Sequence, residues 1–184
     1  MSILESDILI FHFRSEKIYY IDMIKIKKAI FASGCFWGTQ YYLSKAKGVI
    51  STTVGYTGGK TENPTYKEVS RGDTGHVEAV LVEYDHDLTN YETLAKLFFE
   101  THDPTQVGGQ GPDLGSQYQS KIFYSDEEEQ QIAENLIQIL VNKGVKAATK
   151  VEKASGFYPA EDYHQDYYSK TGGSPYCHIY RKLF

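Results

Sequence analysis

The sequence predicts an α+β protein built on a split βαβ plait, an antiparallel or mixed sheet with helices packed on it. Three observations lead there. The 184 residues fit one domain with its own core and leave no room for a second of similar size. Hydrophobic periodicity alternates between two and 3.6 in the order β-α-β-β-α-β, followed by a further helix and a further strand. From Gly156 onward the chain turns aromatic and polar, as expected of a long coil-rich tail wrapping the sheet.

Residues 1–22 have no clean period and form an N-terminal extension, while residues 23–184 form the single domain. Ile24, Ile26 and Ala29-Ile30-Phe31-Ala32 spell the first strand, which Ser33-Gly34 ends before a helix from about Phe36 to Leu43. Gly48 closes that helix. Val49 to Val54 is the second strand, and Gly55-Tyr56-Thr57-Gly58-Gly59 with Asn63-Pro64 is a long loop. His76 to Tyr84 is apolar on both faces, as a central strand should be, with Glu78 the exception inside it. Thr89-Asn90-Tyr91-Glu92 has capping-box spacing ahead of a helix whose Tyr91, Leu94, Ala95 and Phe98 share a stripe. Asp103 to Gly115 is a glycine-rich loop and Tyr118 to Tyr124 a strand. Ser125-Asp126-Glu127-Glu128 caps a long helix with Ile132, Leu136, Ile139 and Leu140 inward, stopped at Gly144, and Lys146 to Lys153 is the last strand. This arrangement of elements is ferredoxin-like.

Composition excludes several function classes. Sixteen Gly, five Pro and 23% charged residues are ordinary globular usage, unlike a fibre or a disordered chain. A net charge of -5 offers no basic footprint for nucleic acid or an anionic membrane. Apolar runs fall short of a membrane span, and Glu5 and Asp7 occupy the place of a signal peptide's basic start. With two cysteines, Cys35 and Cys177, and no C-x-x-C pair, neither a disulfide framework nor a zinc ribbon fits. A cytoplasmic protein with two free thiols is expected.

Cys35 falls at a strand-to-helix turn, where unpaired amide N–H groups and the helix dipole favour thiolate over the usual thiol pKa of about 8.5. The same position suits a buried small hydrophobe, and placement alone leaves both open. Glu78, on a strand of Val, Ala and Leu, loses hydration and is pushed toward the neutral, proton-donating form, unless a base such as Arg71 pairs with it. Phe36 and Trp37 can line an apolar pocket or fill core. His76, His102, His164 and His178 keep a Cys-His hydrolase or acyltransferase in view. Two thiols beside an aromatic pocket also suit a non-enzymatic redox-sensing, peptide-binding module.

Five blocks narrow these alternatives. Gly34-Cys35-Phe36-Trp37-Gly38, Gly55-Tyr56-Thr57-Gly58-Gly59, Gly72-Asp73-Thr74-Gly75-His76-Val77-Glu78-Ala79-Val80, Gly115-Ser116-Gln117-Tyr118-Gln119-Ser120 and Phe157-Tyr158-Pro159-Ala160-Glu161-Asp162-Tyr163-His164-Gln165-Asp166-Tyr167 resemble, in order, the peptide methionine sulfoxide reductases of the A type. The match runs from about Met23 to Ile179. It implies reduction of the S epimer of methionine sulfoxide to methionine. By the same resemblance Cys35 is the nucleophile, Glu78 the acid protonating the sulfoxide oxygen, and Tyr66 and Tyr118 the hydroxyls binding that oxygen. Asp113 is a further acidic site residue, Phe36 and Trp37 form the pocket for the substrate's S-methyl group, and Cys177 is the resolving cysteine.

A sulfoxide sulfur is electrophilic once its oxygen is protonated, so a thiolate and a neutral carboxyl suffice for the reduction. Cys35 then becomes a sulfenic acid, which condenses with Cys177 to a disulfide that thioredoxin, or another dithiol, reduces from outside. No bound cofactor or metal is expected. Expected partners are thioredoxin and either oxidised proteins or free methionine sulfoxide, with no nucleic acid and no membrane, and the protein is expected to be a monomer. Ser116 and Gln119 replace the Thr and Arg frequent in the family, which bears on substrate affinity.

Overall fold

The computed structural model describes residues 25–184, so the expected N-terminal extension, like Ile24, lies outside the described residues. The main sheet has six strands, β1 (Ile26–Ser33), β2 (Val49–Thr57), β3 (Val77–Asp85), β6 (Ser120–Tyr124), β7 (Lys150–Lys153) and β8 (Phe157–Pro159). They lie in the order β7-β6-β1-β3-β2-β8. Among the described residues β6 and β7 pair in parallel and the other pairings of this sheet are antiparallel. Helices α1 (Phe36–Leu43), α3 (Tyr91–Glu100) and α4 (Glu127–Asn142) bury Leu43, Leu94, Phe98, Leu136 and Leu140 with Phe31, Val54, Val80, Val82 and Ile122 of the sheet. On the other face, Ile30, Ala32, Val77, Ala79 and Phe123 make a smaller apolar cluster. The molecule is thus a mixed α+β protein.

Several elements differ from expectation, each for a local reason. Gly55, Tyr56 and Thr57 continue β2 instead of opening a loop, because β3 pairs with them on one side and β8 on the other. A Cβ on Gly55 would stand 2.3 Å from the Tyr158 carbonyl oxygen, so glycine permits that pairing. The predicted loop after β2 holds a one-turn helix α2 (Tyr66–Val69), started by a capping box between Thr65 and Glu68. In the glycine-rich loop, β4 (Gly109–Gln110) and β5 (Asp113–Leu114) form a small hairpin.

Both other capping assignments shift by one residue. Asn90, not Thr89, caps α3 by accepting the Thr93 N–H, and Asp126, not Ser125, caps α4 by accepting that of Glu129. Ile139, expected inward, is 41% exposed. The strand expected from Tyr118 begins at Ser120, since Ser116–Tyr118 is a 3-10 turn, and the one expected from Lys146 begins at Lys150. Beyond β8 the chain makes a 3-10 turn at Asp162–His164 and a short helix α5 (Tyr167–Thr171).

Candidate active site

Cys35 is the N-cap of α1. Gly34 before it has φ +93, and a Cβ there would overlap the Gln110 side chain at 2.4 Å, so glycine is required for the turn that delivers the thiol. The Cys35 carbonyl accepts the N–H groups of Gly38 and Thr39, starting the helix, while the amides of Trp37 and Gly38 face the sulfur and favour its anion. Against them, the hydrogen bond with the Cys177 thiol and burial hold the Cys35 proton on. The same contact lowers Cys177. The pair therefore gives up one proton readily and the second with difficulty, since two adjacent buried sulfur anions repel.

Glu78 points from β3 toward the first turn of α1, where its Oε2 accepts the Phe36 N–H at 3.0 Å. It is 3% exposed. Burial first, then the nearby Cys35 and Asp113, raise its pKa well above the usual 4.5, with the Phe36 N–H opposing. A carboxyl so held is neutral and can donate a proton.

Two tyrosines complete that side. Tyr66 opens α2, its N–H donated to Glu161 Oε1 at 3.0 Å, and Glu161 Oε2 accepts the Tyr56 hydroxyl at 3.0 Å. Tyr118 ends the 3-10 turn before β6. Burial first, then the neighbouring Glu78 carboxyl, raises both phenols, so they remain protonated hydrogen-bond donors. Phe36 packs on His164 and Tyr56, while Trp37 stacks flat on Tyr167 at 3.7 Å between centroids.

Cys35, Phe36, Trp37, Tyr66, Glu78, Asp113, Tyr118 and Tyr176 line a cavity of about 110 Å³. Cys177 joins them through Cys35: one ligand atom each of Cys35, Asp113 and Cys177 lies within 4.8 Å of the others, a spacing a soft cation could also bridge. Sequence reasoning missed Tyr176, because neither composition nor periodicity separates it from fifteen other tyrosines. Larger cavities exist, one of about 670 Å³ beside Leu88 and Leu97, but it contains no thiol.

The histidines sit elsewhere. His76 spans Gly59 N and the Thr61 carbonyl, and His102 spans the Phe98 carbonyl and Ser120 Oγ, with burial lowering its pKa to about 3. His164 is buried among Phe36, Tyr66 and Tyr163 with neither ring nitrogen hydrogen-bonded. His178 contacts Cys177, and among the described residues no histidine hydrogen-bonds Cys35. Ser116 Oγ donates to the Gly72 carbonyl, and Gln119 accepts from Lys150.

Two neighbouring thiols at a helix N-terminus, with a neutral carboxyl and two phenols in the same small cavity, form a dithiol redox centre able to attack an electrophilic sulfur while protonating its oxygen. Comparison with known proteins agrees. The family model described as peptide methionine sulfoxide reductase matches residues 27–184. Peptide methionine sulfoxide reductase MsrA of Acinetobacter baumannii is 44% identical over 154 residues, covering 84% of this chain and 89% of that protein. The reduced form of Mxr1 from Saccharomyces cerevisiae has a TM-score of 0.77 at 34% identity, covering 87% of this chain and 94% of that one. Mxr1 in complex with Trx2 gives 0.56 at 26% identity, covering 90% and 96%. The chain belongs to the peptide methionine sulfoxide reductase family, a family of oxidoreductases.

Proposed function

We propose that this protein reduces the S epimer of methionine sulfoxide, free or in proteins, to methionine through a Cys35 sulfenic acid that Cys177 resolves and thioredoxin recycles. The observation that carries the reading is the convergence of Cys35, Glu78, Tyr66 and Tyr118 on one cavity with Cys177 against Cys35. The substrate's S-methyl group rests on Phe36 and Trp37. Its oxygen accepts from the Tyr66 and Tyr118 hydroxyls and takes the Glu78 proton, which makes the sulfur electrophilic for Cys35. Asp113 supports the cluster from the β4–β5 hairpin. As the Cys35–sulfur bond forms, the S–O bond breaks and the oxygen departs as hydroxide. Water then adds to the Cys35 sulfur of the adduct and the S–S bond breaks to release methionine. The proton given up by that water neutralises the hydroxide, and Cys35 is left as a sulfenic acid.

The thiols supply both electrons, so no prosthetic group or metal enters the reaction. The Mxr1 complex with Trx2 supports thioredoxin as the external reductant. The β6-β1-β3-β2 order supports a split βαβ plait as the core, with the segment after β8 as the tail that carries Cys177. Residues 23–184 are the catalytic domain, acting as a cytoplasmic monomer; among the described residues no helix is long and apolar enough to cross a membrane. Ser116 and Gln119 alter affinity more than reaction type. A thioredoxin-coupled assay on separated sulfoxide epimers, with Cys35→Ser as control, tests the reading: equal turnover of both epimers, or turnover by the variant, refutes it.

A further inference from the structure

Once Cys35 is a sulfenic acid, the Cys35 thiol hydrogen bond that lowers Cys177 is gone, and the buried Cys177 thiol needs another means of losing its proton in the resolving step. The neighbouring residue has a defined geometry toward it. His178 is 1% exposed, its Nδ1 is 3.2 Å from Cys177 Sγ, and its Nε2 lies 3.2 Å from Ser33 Oγ and 3.3 Å from Thr39 Oγ1. Ser33 Oγ and Thr39 Oγ1 are 2.7 Å apart, and the Thr39 hydroxyl donates to the Cys35 carbonyl at 3.3 Å.

One arrangement of protons satisfies the whole chain. With the Thr39 hydroxyl committed to the Cys35 carbonyl, Ser33 donates to Thr39, and the Ser33 lone pair accepts the His178 Nε2 hydrogen. That leaves Nδ1 with a lone pair aimed at the Cys177 thiol. Burial lowers the His178 pKa to about 4, so the imidazole is neutral and the lone pair free throughout the neutral range. Cys177 Sγ is the sole hydrogen-bond partner of Nδ1 among the described residues, whereas Nε2 has two. A purely structural histidine has no need of a thiol. Gly38 makes room for the ring: a Cβ at that position would stand 2.2 Å from Nδ1.

We propose that His178 is the proton acceptor for Cys177 in the resolving step. The proposal rests on the reading of Cys177 as the resolving thiol. As the Cys177 sulfur forms its bond to the Cys35 sulfur, its proton moves to Nδ1 while the Cys35 S–O bond breaks. The departing hydroxide takes the proton from Nδ1 and leaves as water. Cys177 is oxidised, the sulfenic sulfur of Cys35 is reduced, and the imidazole returns to its starting state. The Ser33–Thr39 pair keeps the ring's tautomer and angle through the step.

The test mixes reduced enzyme with one equivalent of methionine S-sulfoxide in the absence of reductant. It records two rates, methionine release and Cys35–Cys177 disulfide formation by quenched mass spectrometry. In His178→Asn the amide keeps a hydrogen bond to Cys177 but cannot take a proton, so the ratio of disulfide rate to methionine rate should fall by about 10². Sulfenic acid should accumulate, captured by a 1,3-dione. Ser33→Ala, which removes a partner of Nε2 and no sulfur contact, should lower the ratio by about tenfold. A His178→Asn ratio within threefold of wild type overturns the proposal, as does an unaffected Ser33→Ala ratio. Wild-type enzyme that releases methionine yet forms no disulfide would instead overturn the reading of Cys177 itself.

Discussion

Replacing Glu78 with glutamine separates its chemical role from its structural one. The amide oxygen of Gln can still accept the Phe36 N–H that Glu78 Oε2 holds at 3.0 Å, so the first turn of α1 keeps its partner. What disappears is the transferable proton. A positioned acid contributes about 10² to 10⁴ in rate, equivalent to about 2.7 to 5.4 kcal/mol of barrier. Burial raises the Glu78 pKa well above 4.5 and so favours the proton-bearing form in wild type, and the loss should fall within that range. Stability should move the opposite way. Folded protein with a raised carboxyl pKa binds more protons than the unfolded chain, so the favourable contribution is fully present below pH 4.5 and is lost as pH rises through the folded pKa. Gln carries no such penalty. The variant should therefore melt near wild type at pH 4 and higher than wild type as pH rises. Single-turnover rates at saturating sulfoxide and melting curves at several pH values measure both. A Gln rate within tenfold of wild type would refute Glu78 as the acid, and a variant less stable at every pH would refute the account of its burial.

Cys35→Ser should abolish reduction, because a hydroxyl lacks both the accessible anion and the soft nucleophilicity needed at sulfur; appreciable turnover in the epimer assay would refute its role. Cys177→Ser should release one methionine per enzyme in a single turnover and then fail to recycle with thioredoxin, and full thioredoxin turnover in that variant would mean another route regenerates Cys35. Gly38→Ala would bring a Cβ to 2.2 Å from the His178 ring, so overpacking should destabilise by about 1 to 3 kcal/mol; chemical denaturation with an unchanged midpoint would show that the tail gives way freely.

Much of the site follows from local pattern. Ser33-Gly34 between an apolar run and a helical stretch places Cys35 at a helix start, because a strand cannot continue through a glycine at positive φ. Alternation in β3 puts Glu78 on the face shared by Val80 and Val82, which is the face α1 covers. These are short-range consequences of sequence, readable from periods of two and 3.6. The resemblance to the family implies residue roles that no period encodes, such as those proposed for Tyr66 and Tyr118.

Contacts between distant segments decided the rest. Gly55 to Thr57 reads as loop because glycine weakens a strand, yet β3 on one side and β8, a hundred residues later, on the other pair with it and extend β2. Thr89 and Asn90 are both competent caps, as are Ser125 and Asp126, and in the structure the second of each pair is the extended residue whose side chain accepts the capping N–H. Tyr176 from the tail and Asp113 from the β4–β5 hairpin reach the Cys35 cavity, and the His178 ring reaches Cys177, along a course set by packing and not by periodicity. The sequence by itself determined that this protein carries a thiol at a helix N-terminus and a carboxyl inside an apolar strand. Only the tertiary structure decided that they share one cavity with Cys177 against the thiol, because such proximity depends on the closure of long chain segments, which local preference does not encode.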